Sequence, residues 1–253
     1  MDTLRIVTQN IWNKNDHWQA RADAIGRNMD ELEVDIVCIQ ESMPDHFEYL
    51  KSHSFRRFPH ANYAPSDDGT VTPRPQGLAM FSRLPALDTG QVDIGREREM
   101  RNPWMRNLQY ATLETPSGPT LTVFNTHLFL SSGQKEIGIR SCLDFMRRGQ
   151  FAGCQHILAG DFNINLDAQP EYLAPLAEHQ YADLWIARNR SENGYTAPLD
   201  LDEPLVERID GFFTQRGRLD LVVSVSLVNT EPINDGSLLL SDHIGVMATM
   251  GLD

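Results

Sequence analysis

Three cysteines in 253 residues are too few, and odd in number, for a disulfide framework. Cys38, Cys142 and Cys154 form no CxxC pair, so they read as buried or free thiols. No apolar run approaches the roughly 20 residues of a membrane span. The start, MDTLRIVTQNIW, lacks a basic stretch followed by an apolar one, so no secretory leader is read there. We therefore expect a soluble cytoplasmic protein, and a monomer. No internal repeat, low-complexity tract or Gly/Ser-rich linker divides the chain, which points to one domain over residues 1–253. Basic charge is also in short supply: 22 Lys and Arg stand against 35 Asp and Glu, a net charge of −13. That balance repels polyanions and argues against a protein that coats nucleic acid. It leaves a phosphate ester open as substrate, because clustered carboxylates holding a divalent cation make a local field unlike the global one. The nucleotide-binding loop GxxxxGK[ST] is missing, and the GDFN segment lacks the following histidine of the GDxH and GNH dimetal phosphatases.

What is present is a globular balance, 41% hydrophobic and 23% charged, with length for a substantial core. Strands are expected at Leu4–Trp12, Asp35–Glu41, Gly77–Ser82, Leu108–Glu114, Thr120–Leu128 and His156–Phe162, then at Arg208–Thr214, Leu219–Val228 and His243–Met250. Trp18, Ala22, Ile25, Met29 and Leu32 fall on one helical face. Further helical patterns cover Pro44–Ser52, Gln134–Arg148 and Glu171–His179. A turn signal at Pro116-Ser117-Gly118-Pro119 between two strands requires part of the sheet to be antiparallel. The pattern is a mixed α and β protein with room for two sheets, and it is not a simple alternating Rossmann arrangement.

Polar residues abut these apolar strands at their ends. Asn10 follows RIVTQ, Glu41 follows DIVCIQ, His127 follows TVFNT, and Asp161 and Asn163 follow ILAG. Asp210 follows ERI, and Asp242 and His243 precede IGVMATM. Burying any one of them unpaired is costly. Brought together, they would form a pocket of carboxylates, amides and imidazoles suited to a hard divalent cation and a phosphate.

The ordered set TQNIW, IQE, NTHL, GDFN, RID and SDH resembles the endonuclease/exonuclease/phosphatase superfamily, over nearly the whole chain from Leu4 to about Met250. That superfamily includes deoxyribonuclease I, abasic-site endonucleases, neutral sphingomyelinases, inositol polyphosphate phosphatases and tyrosyl-DNA phosphodiesterases. The resemblance implies an α/β fold, a four-layer sandwich of two packed mixed sheets with helices outside. It also implies a metal-dependent phosphoesterase. Glu41, with Asn10 and with Asp242 as either a ligand or a neighbour of the histidine, would hold Mg²⁺, with Mn²⁺ as an alternative. Asp161 would orient or deprotonate the attacking water, and Asn163 would bond to the phosphate or to that water. His243 would contact a phosphate oxygen, oriented by Asp210, and His127 would donate a second hydrogen bond as charge develops.

Taken singly, Asn10 could as readily be a strand-end amide bonding a loop, and Asp242 a turn residue. His17, His46, His53, His60, His156 and His179 match no motif position and read as surface or packing residues. Abasic-site nucleases commonly carry an acid two positions beyond the first-strand asparagine, where Trp12 stands here, and a phosphate-pocket tyrosine where His127 stands. Both departures favour the branch of sphingomyelinases, phosphatases and deadenylases. A nuclease acting on DNA or RNA ends is the first alternative, and a non-catalytic binding module on the same scaffold the second. Arg96, Arg98, Arg101 and Arg106 in REREMRNPWMRN read either as a rim gripping an anionic or aromatic leaving group, with Trp104, or as a solvated loop paired to Glu97 and Glu99. The solvated reading is favoured, because charge runs are usually solvated faces. The stretch from His60 to Gln76 reads as a long loop.

Overall fold

Two β-α-β units, each a pair of parallel strands joined by one helix, organise the chain. The computed structural model describes residues 3–14, 16–66, 76–97, 105–115, 120–200 and 204–252. The first unit runs from β1 (Thr3–Asn10) through α1 (Trp18–Glu31) to β2 (Ile36–Ser42). It continues into α2 (Pro44–Tyr49), a π-helical turn (Leu50–Ser54), and the paired strands β3 (His60–Pro65) and β4 (Gly77–Ser82). After β5 (Ala86–Arg96) and β6 (Met105–Leu113) comes the second unit, β7 (Leu121–His127), α3 (Ser132–Met146) and β8 (Gln155–Asp161). The short elements α4 (Ala174–Glu178), β9 (Tyr181–Asp183) and α5 (Leu184–Arg188) follow, then β10 (Asp210–Gln215). Finally β11 (Val222–Val228) and β12 (Gly245–Gly251) return to the first sheet.

The two sheets have the strand orders β11-β12-β1-β2-β4-β3 and β5-β6-β7-β8-β10-β9. In each, the central pair, β1 with β2 or β7 with β8, is parallel, and the flanking pairs are antiparallel. Side chains alternate between faces along a strand, and the buried clusters separate accordingly. Leu4, Ile6, Ile36, Cys38, Val123, Ile157 and Ala159 meet between the sheets. Val7, Val37 and Ile39 face outward beneath Ala22, Ile25 and Met29 of α1. Phe124 and Leu158 face the other way, beneath Ile139, Leu143 and Met146 of α3. Helix, sheet, sheet and helix are therefore stacked in four layers, the architecture the resemblance implies.

Several elements differ from the sequence expectation. Residues 60–65, expected as loop, form the edge strand β3, and β5 and β9 were not anticipated. The helical pattern at Glu171–His179 splits into a 3-10 turn and the five-residue α4, where Pro175 lies within the first turn. Residues 219–221 end a 3-10 turn before β11 starts. The turn at 116–119, Arg98, Glu99, Arg101, Trp104 and residues 67–75 lie outside the described residues. Among the described residues, no helix is long and apolar enough to cross a membrane.

Candidate active site

Sheet register alone aligns three of the expected side chains. His127 on β7 pairs with Asp161 on β8, and Asp161 pairs with Asp210 on β10, so the three lie in a row across adjacent strands. Two residues along from Val123-Asn125 and Ile157-Ala159, His127 and Asp161 share the face that packs between the sheets. Asn10 ends β1 on the inner face of the opposite sheet, following Leu4 and Ile6. Its amide nitrogen donates to Asp161 Oδ2 at 3.0 Å, across the gap between sheets.

Below this row lies a polar layer that separates it from the apolar core. Gln40 Nε2 donates to Asn125 Oδ1 at 2.7 Å and to Thr8 Oγ1 at 3.0 Å. Asn125 Nδ2 in turn donates to the Ile39 carbonyl at 3.1 Å and to Gln109 Oε1 at 3.1 Å. Gln40, Asn125 and Gln109 are wholly buried, so their mutual bonds tie the sheets together at a fixed spacing. Gln40 and Asn125 belong to the IQE and NTHL segments, yet the sequence reading left them without a role.

Glu41 departs from the strand alternation. Continuing the pleat would put it beneath the helices with Val37 and Ile39. Instead the β2–β4 register shifts between Ile39 and Ser42, and Glu41 takes φ 58°. A bulge of this kind re-aims a side chain, and a non-glycine residue in the left-handed region is strained. Its Oε2 accepts the Asn13 backbone N–H at 3.1 Å, and its Oε1 has no hydrogen bond among the described residues. The Asn10 carbonyl oxygen of the side chain accepts the Trp12 N–H at 3.0 Å, so the β1–α1 loop holds both groups.

On the other side, Asp242 and His243 precede β12. Ser241 Oγ donates to the Asn10 backbone carbonyl at 2.7 Å, and the His243 N–H donates to Ser241 Oγ at 3.2 Å. His243 Nδ1 lies 2.9 Å from Asp210 Oδ2, while Nε2 faces Asp161 Oδ2 at 3.9 Å. Thr196 Oγ1 accepts the Asp210 N–H at 3.2 Å, and the Thr196 carbonyl accepts the Ile244 N–H at 2.8 Å. One residue thus holds both members of the Asp210–His243 pair in register. Asn163, at φ 50°, gives its N–H to Asp161 Oδ1 at 2.9 Å and its side-chain nitrogen to the Leu128 carbonyl at 2.9 Å. All eight expected residues therefore lie at one end of the two sheets, linked directly or through a short loop.

The charge states follow from burial and neighbours. Burial works against a charged His243, but Asp210, Asp161 and Asp242 outweigh it and push its pKa up to about 10. Burial, with Asp210 beside it, pushes the Asp161 carboxyl up to about 7, while His243, Asn163 and Asn10 resist the rise. His127 Nε2 lies 3.4 Å from Asp161 Oδ2. Burial, then the charges of Arg106 and His243, hold its pKa well below the ordinary histidine value, so the ring is neutral near pH 7. Asp242 is raised by burial and by Glu41, with His243 opposing.

Arg106, at the start of β6, is buried where the solvated reading expected an exposed arginine, while Arg96 at the other end of the run is exposed as that reading has it. Arg106 is 4% exposed and lines a recess of about 20 Å³ with Ser66, Gln76, Asn107 and His127. Burial lowers its pKa, while Asp161, Glu97 and Glu41 favour its charge. Glu97, wholly buried, is 4.0 Å away, and it accepts the Leu130 N–H at 2.8 Å and the Ser131 hydroxyl. Arg106 Nε has no partner among the described residues. An arginine inside a charge run carries no sequence mark of burial, so only the run of apolar residues beginning at Leu108 hinted at its place.

The donor set fits a divalent cation. Glu41 and Asp242 are like charges close enough to raise the Asp242 pKa, and Glu41 keeps an oxygen without a hydrogen bond, an arrangement that a hard cation relieves. Ligand atoms of Asp161, Asp210 and His243 also lie within 4.8 Å of one another. There, however, His243 Nδ1 is committed to Asp210 and the ring is charged, which suits hydrogen bonding to an anion better than metal ligation. Carboxylates, a charged imidazole and an arginine grouped around a carboxyl pushed up to about 7 can bind a phosphoryl group and take a proton from water.

This fold and this site place the chain in a known class: it belongs to the Endonuclease/Exonuclease/phosphatase family, whose model matches residues 7–243. The family's members are generally hydrolases of phosphoester bonds and typically use divalent metals. Among curated proteins it is similar to an inositol phosphosphingolipids phospholipase C of Schizosaccharomyces pombe, 28% identical over 181 residues. That match covers 64% of this chain and 41% of the relative, so the chain spans less than half of that protein's length. A family protein of Bacteroides thetaiotaomicron shares the fold at TM-score 0.82 and 18% identity, covering 100% of this chain and 98% of the other. D. rerio TDP2, solved with a single-strand DNA product, does so at TM-score 0.78 and 19% identity, covering 100% of both chains.

Proposed function

We propose that the protein hydrolyses a phosphodiester or phosphomonoester by in-line attack of water, with Mg²⁺ as the metal and Mn²⁺ able to replace it. The observation that carries this reading is the continuous set of contacts from Asn10 through Asp161 to His127, and from Asp161 through His243 to Asp210. Glu41, with Asn10 and Asp242 adjoining, would hold the cation, which supplies positive charge to a phosphoryl oxygen. Asp161 accepts the proton of the attacking water, as a carboxyl near pKa 7 is suited to do. Asn163 anchors Asp161 through its backbone and keeps its side-chain oxygen for that water. His243, kept charged by Asp210, donates to a non-bridging oxygen. His127 is neutral and donates one N–H, and Arg106 supplies the charge beside it.

The sphingomyelinase-like and phosphatase-like branch is favoured over a nuclease. Supporting it are the phosphosphingolipid phospholipase C relative, the net charge of −13, and Trp12 standing where abasic-site nucleases carry an acid. Purified protein should hydrolyse bis-p-nitrophenyl phosphate or an inositol phosphosphingolipid faster than a single-stranded oligonucleotide, and chelator should abolish the activity. Preference for the oligonucleotide would move the protein to the nuclease branch. Absence of turnover on all three esters with Mg²⁺ and Mn²⁺ would leave the binding-module reading standing.

A further inference from the structure

The β1–α1 loop carries the backbone groups that hold Glu41 and Asn10, yet short loops of this kind have no strand ladder to fix them. Here the fixing is done by Arg21, one turn into α1 and only 2% exposed. Its Nη1 donates to the Asp16 carbonyl at 2.6 Å and lies 3.6 Å from Asp16 Oδ1. Its Nη2 donates to the Lys14 carbonyl at 2.6 Å and reaches the Trp12 carbonyl at 3.5 Å. The guanidinium carbon sits 5.2 Å from the centroid of the Trp12 ring, whose other cationic neighbour is Lys14, at 4.5 Å. One planar group therefore gathers the carbonyls of residues 12, 14 and 16. Between them, the Asn13 N–H reaches Glu41 Oε2 at 3.1 Å, and the Asn13 side chain donates to Gln76 Oε1 at 2.6 Å. The Trp12 N–H holds the Asn10 side chain at 3.0 Å.

We propose that Arg21 is a positioning residue for the divalent cation: it fixes the loop whose Trp12 and Asn13 amides aim Asn10 and Glu41, and so sets cation affinity without touching cation or substrate. The proposal rests on Glu41 as the cation's carboxylate. Three features distinguish this arrangement from ordinary helix packing. Arg21 bonds to loop carbonyls rather than to the helices it packs among. The loop it gathers presents its amides in the opposite direction, toward the site. The strained φ of 58° at Glu41 and of 55° at Trp12 needs surrounding structure to hold it. Lysine could not replace it fully, since a single ammonium on a flexible stem cannot keep the planar, two-armed geometry.

The test is Mn²⁺ binding, read from loss of the free Mn²⁺ electron paramagnetic resonance signal, in the wild type and in Arg21→Gln, Arg21→Lys and Glu41→Gln. Outer contacts of this kind change metal affinity by about 10–100-fold. Arg21→Gln should weaken Mn²⁺ binding by at least about tenfold on that scale, and Arg21→Lys should fall between it and the wild type. Arg21→Gln that is folded and binds Mn²⁺ within about twofold of wild type, while Glu41→Gln does not bind, would overturn the positioning role and leave Glu41 in place. Should Arg21→Gln fail to fold, Arg21→Lys decides in the same way, wild-type affinity overturning the proposal. Wild-type affinity in Glu41→Gln would overturn the reading beneath it.

Discussion

Asp161 accepts a hydrogen bond from Asn10 on one oxygen and from the Asn163 backbone on the other, and still burial and Asp210 keep its carboxyl near 7. Asp161→Asn should lower kcat by about 10²–10⁴, the range of a general base. Above pH 7 the variant should melt at or above the wild-type temperature, because it removes an anion that burial disfavours. A variant with wild-type kcat would exclude Asp161 as the base. His243 behaves in the opposite sense. Its folded pKa, about 10, lies above the ordinary 6.5, so the stability gained by charging it is complete below pH 6.5 and is lost as pH rises through 10. Thermal melts of metal-free protein should therefore decline from pH 7 to pH 10, and the decline should flatten in Asp210→Asn. An equal slope in both proteins would show that the pair does not set it. Arg106→Met should lower kcat/KM by roughly tenfold or more, as a charge-assisted bond is worth about 1.5–3 kcal/mol, with unchanged kcat/KM as the contrary result. The acids, amides and imidazoles that converge in the candidate site were legible as a group because each interrupts an apolar strand at its end. Arg106 and Arg21 were not, because burial of an arginine depends on carbonyls and carboxylates that arrive from distant segments.

Strands whose two faces are both covered, β1, β2, β7 and β8, announce themselves as continuous apolar runs and were placed to within a few residues. Of the edge strands, β11 was anticipated and β3, β5 and β9 were not. Most of β5 is exposed along its eleven residues and only its second half alternates, while β3 and β9 are short edges of six and three residues. Glu41 shows the converse limit: the strand around it was legible, and the bulge that turns it was not. Gly160 marks another place where backbone approach dictates the residue. It has φ 152°, and a Cβ there would stand 2.1 Å from the Thr126 carbonyl of the neighbouring parallel strand. Gly160→Ala should therefore push β7 from β8 just before Asp161. We expect a loss of at least about 2 kcal/mol, or roughly 4–8 °C in Tm for a chain of this size, together with a fall in kcat. Calorimetry showing an unchanged Tm would mean the ladder yields without strain.

At the scale of the whole molecule, the global and local fields oppose each other. The chain carries −13, while Arg106 and a charged His243 stand within the candidate site. Screening acts mainly on separated, exposed charges. Turnover of an oligonucleotide should consequently improve as salt rises toward about 0.15 M, the range over which the screening length falls to about 8 Å. Turnover of a small diester should stay nearly level. Equal salt responses would show that the surface field plays no part in substrate choice. The family and its layers were legible from the order of the motifs, whereas the loops around the candidate site share no period or spacing from which a substrate could be read.

The strand that joins β11 to the rest of the first sheet comes after every other strand in chain order among the described residues. β12 inserts between β11 and β1, and the segment ahead of it delivers Asp242 and His243. During synthesis, the strands of the second sheet are all present once Gln215 has emerged, yet β1 keeps an unsatisfied edge until β12 follows. The candidate site therefore lacks Asp242 and His243 until that strand has emerged, so closing the sheet and completing the site are a single event.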